Sequence, residues 1–192
     1  MNLYLRLLLV WLRNFAAVKQ HYSHRAESRF RVLPHDLDAF GHMNNGRYLQ
    51  IMDVARVEWM IQTEVAHSIR KNRWSPILGG GVIRYRYSLR LLQQYRVHTQ
   101  LLGWDHRWFY LEHSFTDRQG RCVAVGVTRA GLRDGNEWVP ADAVVESVHP
   151  GARSPDIPDH IQDWIELEDA MFRHAAGHRQ VHPRLMSERR AG

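Results

Sequence analysis

With 192 residues, 44% of them apolar, the chain has the material for one globular core of about 120 to 150 residues with appended ends. Its single cysteine, Cys122, excludes an intrachain disulfide and makes a reducing compartment the default. The formal charge is +6 and only Lys19 and Lys71 are lysines; the excess is therefore arginine, whose planar fork recognises phosphate and suits a coenzyme A ester at least as well as a nucleic acid.

The chain opens with the apolar block Leu7 to Leu12, flanked by Arg6 and Arg13. This block is too short to span a bilayer and lacks the basic start and cleavage site of a secretory signal. Leu5, Leu8, Leu9, Leu12, Phe15 and Ala16 fall on one side of a helix. Such a helix either packs on the domain or a dimer, or makes a peripheral contact with a membrane surface through residues 3–16. Lys19 to Glu27 reads as a linker. Phe30 and Val32 alternate with Arg29 and Arg31 as a half-buried strand, which Pro34 stops. Cys122, inside an alternating apolar run, is expected to be a buried thiol.

A polar loop, Pro34 to Asn44, then runs into a helix expected over Asn45 to Ser68. Ile51, Met52, Ala55, Trp59 and Met60 recur there at helical spacing, and Asn44 or Asn45 can cap it. A helix start offers free backbone N–H groups and partial positive charge, which suit an acyl oxygen that turns negative under attack. Asp38 is placed to be the nucleophile or general base. Taken alone, Asp36 and Asp38 could equally do no more than structure a turn. Asp53 and Arg56, three apart, are expected to pair on the helix surface.

Gly79-Gly80-Gly81 lacks the Gly-Lys-Ser/Thr ending of a phosphate loop and reads as a bulge before a strand. Ile83, Tyr85, Tyr87 and Leu89 alternate with Arg84, Arg86, Ser88 and Arg90; those arginines are either solvated or aimed at phosphate. Three more alternating runs, about 96–104, 108–116 and 121–132, are joined by turns at 105–107 and 117–120. A short helix over 141–147, a proline-rich linker from His149 to Pro158 and a last helix ended by Gly177 complete the chain. The order of elements is α+β: an antiparallel sheet wrapped around a long central helix, with extra N- and C-terminal helices. The divisions are 1–27, 28–148 and 149–192. His174, His178 and His182 have helical spacing, but Gly177 and Pro183 interrupt them, so no metal site is expected. No Ser-centred elbow is present.

The run Asp38-Ala39-Phe40-Gly41-His42-Met43-Asn44-Asn45-Gly46-Arg47-Tyr48, followed by Asp53 and Arg56, resembles the D-x-x-G-H-x-N-N-x-x-Y signature of the HotDog-fold acyl-CoA thioesterases. Within that superfamily it is similar to the 4-hydroxybenzoyl-CoA thioesterase-like, THEM6-like branch. The resemblance implies a HotDog fold and hydrolysis of an acyl-CoA or acyl-carrier-protein thioester without cofactor or metal. It implies Asp38 as the catalytic carboxylate, the Asn45 amide as the group that polarises the carbonyl, and His42 and Asn44 as loop-ordering groups first and reactive groups second, with His42 counted among the catalytic residues. Gly41 would let the loop approach the substrate, and Arg84, Arg86 and Arg90 would lie toward the CoA phosphates. A homodimer or dimer of dimers in the cytoplasm, peripheral at the inner membrane surface in one alternative, is the expected setting, with nucleic acid set aside as a partner. A non-catalytic module that binds acyl-CoA or lipid is the second functional expectation.

Overall fold

The computed structural model describes residues 2–15 and 18–188, with side chains for 3–15 and 18–176. The chain divides into two compact units, residues 1–156 and 157–192.

The first unit begins with α1 (Asn2–Asn14), β1 (Ala26–Arg31), a 3-10 turn (Pro34–Asp36) and α2 (Asn45–Gln62). It continues through α3 (Val65–Asn72), β2 (Ser75–Tyr85), β3 (Gln94–Trp104), β4 (Phe109–Asp117), β5 (Cys122–Asp134), β6 (Glu137–Val139) and α4 (Ala141–Val148). The sheet is antiparallel in the order β1-β3-β4-β5-β2, with β6 added against β5. It curls around α2, whose Tyr48, Ile51, Met52, Val54, Ala55 and Trp59 are buried. Contact is closest at Gly126 on β5, where a Cβ would come within 2.7 Å of Met52 Cε, so the helix seats on the sheet only because this position has no side chain.

Several expected boundaries move, each for a local reason. The central helix stops at Gln62 because Glu64 takes a left-handed backbone, φ 63°, after which α3 starts afresh. β1 begins at Ala26, earlier than Arg29, because its backbone pairs with β3 from Ala26 opposite Thr99 onward. β2 starts at Ser75 rather than after the glycines, and the expected bulge falls between Leu78 and Gly80. The strand ends at Tyr85, since the amides of Arg86 and Tyr87 both turn to the Val123 carbonyl. Cys122 is exposed, not buried: it opens β5 beside the irregularity at Phe115 and Thr116, which leaves Val123 and Ala124 as the buried pair.

The N-terminal helix forms as expected, but its apolar side does not pack on the domain. Arg6, Val10 and Asn14 turn inward, while Leu5, Leu8, Leu9, Trp11, Leu12 and Phe15 are exposed. The inward residues are held by polar bonds. Asn14 Nδ2 donates to Glu58 Oε1 on α2 at 2.9 Å, and Ser28 Oγ on β1 donates to Glu58 Oε2 at 2.5 Å. Ala16 lies outside the described residues. No described helix is long and apolar enough to cross a membrane.

The second unit contains α5 (Asp159–Glu188). Its backbone continues through Gly177 and Pro183 as helix, so neither residue ends it. One glycine weakens a helix by only about 1 kcal/mol. The side chains of His178 and His182 lie outside the described residues, and among those described no group of three metal-ligating side chains occurs.

Candidate active site

The loop from Leu33 to Asn44 is closed by its own two aspartates, which have different jobs. Asp36 is fully buried. Its Oδ2 accepts from Arg6 Nη2 at 2.5 Å and from the Leu33 amide at 2.9 Å, and its carbonyl accepts from the Asn44 amide at 2.8 Å. Arg47 Nε stands 3.8 Å from the other oxygen. Asp36 therefore ties α1, the start of the loop and the cap of α2 into one cluster. Its distance in sequence from Arg6 hid this role.

Asp38 lies one tight turn further on and is half-buried. Its Oδ1 accepts from the amides of Phe40 at 2.9 Å and His42 at 3.1 Å. Its own amide donates to the His42 carbonyl at 2.8 Å, and Gly41 closes the turn at φ +75°, a conformation that favours glycine. One oxygen shapes the loop, and among the described residues the other accepts no hydrogen bond. Asp38 makes no salt bridge there either. His42 orders this turn with its backbone, which also bridges to Arg90.

Asn44 is the cap of α2: its Oδ1 accepts from the Gly46 amide at 2.8 Å. A Cβ on Gly46 would sit 3.2 Å from that oxygen, which is why a glycine follows the two asparagines. The Arg47 amide donates to the Asn44 carbonyl at 2.9 Å. The Asn45 amide has no acceptor among the described residues, and it stands at the positive end of an 18-residue helix. Tyr85, which sequence periodicity assigned only to an apolar strand face, donates from its hydroxyl to the Asn45 carbonyl at 3.1 Å and packs edge-on against Tyr48 at 5.1 Å. Burial pushes the Tyr48 phenol up to about 12, so it stays protonated at neutral pH. These two rings fix the first turn of α2 against β2.

The loop thus brings together Asp38, Gly41, His42, Asn44 and Asn45, with Arg90 at its border through the His42 bridge. Arg84 is elsewhere: it pairs with Val125 on β5 and shares the outer sheet face, whereas its neighbour Tyr85 points to α2. Arg86 lies over the Tyr87 ring at 5.5 Å. Asp53 and Arg56 do form the expected ion pair, and Arg56 also donates to Thr128 at 3.3 Å. Thr128 in turn meets the buried His113. Burial first, and Arg56 second, lower the His113 pKa to about 3, so this histidine is a neutral part of the core. Trp104, Phe109 and Leu111 join that core. An apolar slot of about 50 Å³ lined by Arg56, Trp59, Met60 and Phe109 lies toward the other end of α2. Arg56 is eleven residues beyond Asn45, roughly 16 Å along the helix, so this slot is distinct from the Asp38 turn.

Known proteins resemble the chain in sequence and in fold. Residues 32–165 match the sequence profile of the thioesterase-like superfamily. The chain is 35% identical over 140 residues to Protein THEM6 of Xenopus laevis, covering 72% of this chain and 66% of that protein. It is 33% identical over 141 residues to the Danio rerio protein of the same name, covering 73% and 68%. The chain thus spans about two thirds of the length of these relatives. Among solved structures it is similar to YbaW, a probable thioesterase of Escherichia coli, with a TM-score of 0.60 and 18% identity over 66% of this chain and 97% of that one.

Proposed function

The chain belongs to the thioesterase-like superfamily, in the HotDog, THEM6-like branch, and from that premise we propose that it hydrolyses an acyl thioester of CoA or of a carrier protein at the Asp38 loop. The observation that carries this reading is the pairing of one uncommitted oxygen on Asp38 with one unpartnered amide at Asn45, both held by the same closed loop. The carboxylate either attacks the carbonyl carbon itself, expelling the thiol before water cleaves the acyl-enzyme, or takes a proton from the water that attacks it as the thiol leaves. The Asn45 amide, helped by the helix end, receives the oxygen as it gains negative charge. Arg90 and, from the outer face, Arg84 and Arg86 supply positive charge for the phosphates of the thiol carrier.

The active species in this proposal is a homodimer. β2 is an edge strand of 11 residues with no neighbour on one side among the described residues, and Leu78, Val82 and Tyr85 on it are exposed. Phe40, at the tip of the Asp38 turn, is 84% exposed. A long apolar edge left open in this way invites pairing with another strand. A second copy would cover it and stand beside the Asp38 turn. The test is thiol release from a panel of acyl-CoA and acyl-carrier thioesters of graded length, by protein that sediments at twice the 22.6 kDa of one chain. Tight binding of acyl-CoA with no thiol released from any of them would favour the non-catalytic module instead.

The outward apolar face of α1 favours a further element of the same reading, a peripheral seat on the cytoplasmic side of a membrane. The helix contains no acidic residue in its 13 positions, and its exposed Tyr4 and Trp11, with Phe15 just after it, are rings suited to the bilayer interface. Flotation with anionic vesicles is the check. The full chain is expected to rise with the lipid and Leu8→Glu/Trp11→Glu to stay behind; equal behaviour of the two removes this element.

A further inference from the structure

A second concentration of charge lies on the outer face of the sheet, at its β1 edge. Arg29 on β1 and Arg96 on β3 stand directly opposite each other, with Arg31 facing Gln94 two pairs further along, on the same face. Like charges at facing positions destabilise a sheet. Here they share a single counter-charge: Arg29 Nε donates to Glu27 Oε1 at 2.7 Å, and Arg96 Nε lies 3.8 Å from the same oxygen. Arg118, from the turn between β4 and β5, completes with them an open groove of about 430 Å³. Neither Arg31 nor Arg118 meets a carboxylate among the described residues. Four cations therefore line the groove with one anion, Glu27, beside them, and Arg121, paired with Asp117, stands next to it. Arg31 and Arg118 also border a neighbouring groove with Gln93 and Gln119.

β1, which carries two of the groove's arginines, leads along the chain into the catalytic loop. Just past the strand Val32 exchanges backbone bonds with Leu92 and Gln93, and from Val32 the chain passes directly into the turn that contains Asp38. The chemistry of the groove also limits what it can hold. Its two aromatic liners turn their rings inward, Phe30 tilted against Tyr95 at 5.7 Å and Tyr95 stacked on Phe115. No ring is left there for an adenine to stack on, and the guanidiniums are spread over two strands and a turn instead of converging on one point. That spread matches several separate carboxylates on a protein surface better than one nucleotide phosphate group.

We propose that the groove of Arg29, Arg31, Arg96 and Arg118 docks the acidic face of a protein that carries the acyl group on a phosphopantetheine arm, making the carrier-bound thioester the preferred substrate. This rests on the thioesterase reading and names its partner. Charged contacts of this kind act on encounter and affinity, so the effect falls on KM and grows weaker with salt.

The experiment compares one acyl group on three thiols: an acidic acyl carrier protein, CoA, and N-acetylcysteamine, which has neither protein nor phosphate. Wild type, R29Q/R31Q/R96Q and R29E/R31E/R96E are assayed for kcat and KM, with thermal unfolding confirming that each folds; carrier binding is also titrated calorimetrically. The expected result is a rise of at least tenfold in KM for the carrier thioester in the glutamine variant and a larger one on charge reversal. The N-acetylcysteamine ester should be unchanged and the CoA ester nearly so. Equal losses on CoA and carrier would overturn the proposal in favour of a phosphate site, and unchanged KM throughout would overturn it outright. Binding of single-stranded DNA more tightly than the carrier would do the same. Salt-sensitive carrier binding that the variants lose, with no hydrolysis of any thioester, would uphold the docking face and reject the hydrolase reading.

Discussion

Asp38→Asn is expected to lower thioester turnover by about three orders of magnitude, within the range for loss of a positioned acid–base or nucleophilic group, while the thermal midpoint stays within a degree or two. The two effects separate because of how the side chain is used. Asn keeps an oxygen where Oδ1 accepts from the Phe40 and His42 amides, so the turn remains closed. What it loses is the charge and the free oxygen that the loop bonds do not consume. Asp38→Ala removes both functions and should cost about 1 kcal/mol of stability as well, since two loop amides lose their acceptor. Thiol release and thermal unfolding, measured on both variants, check this. Hydrolysis by Asp38→Asn at the wild-type rate would eliminate this residue as the reacting group.

Asp36→Ala should do the opposite, destabilising the fold by about 3–5 kcal/mol, as removal of one partner from a buried ion pair does, and lowering the midpoint by about 10 °C. The substitution strands the Arg6 guanidinium, whose side chain is only 9% exposed, and leaves the Leu33 amide without its acceptor. It also frees the junction between α1 and the α2 cap. A paired change, Arg6→Leu with Asp36→Leu, should cost less than either single change, because no uncompensated charge then stays buried. Urea unfolding of Asp36→Ala, the two single leucine variants and the pair gives the comparison. A stable Asp36→Ala with abolished turnover would exchange the roles assigned to the two aspartates.

Those two predictions differ although the residues are two apart in a symmetrical-looking Asp-Leu-Asp. The features that sequence reading placed well are short-range. The N-cap at Asn44, the glycine of the turn at Gly41, the Asp53–Arg56 pair and the hairpins between β3, β4 and β5 all depend on neighbours within a few residues. The signature from Asp38 to Tyr48 has the same character: it closes its loop largely with its own backbone and side chains. Where reading failed, a distant partner or a single backbone angle decided the outcome, as at Glu64, at Cys122 and along α5 past Gly177.

Periodicity alone determined that the first helix has an apolar side, that β3 alternates, and that a capped helix follows a polar loop, because each is a property of adjacent side chains on one regular element. Only the tertiary structure decided which side of α1 faces water, since the buried carboxylates of Asp36 and Glu58 draw in Arg6 and Asn14 and leave the leucines outside. Only it assigned the burden of folding to Asp36 and left Asp38 an oxygen to spare. An ion pair 30 residues apart follows from chain packing, which no local pattern encodes.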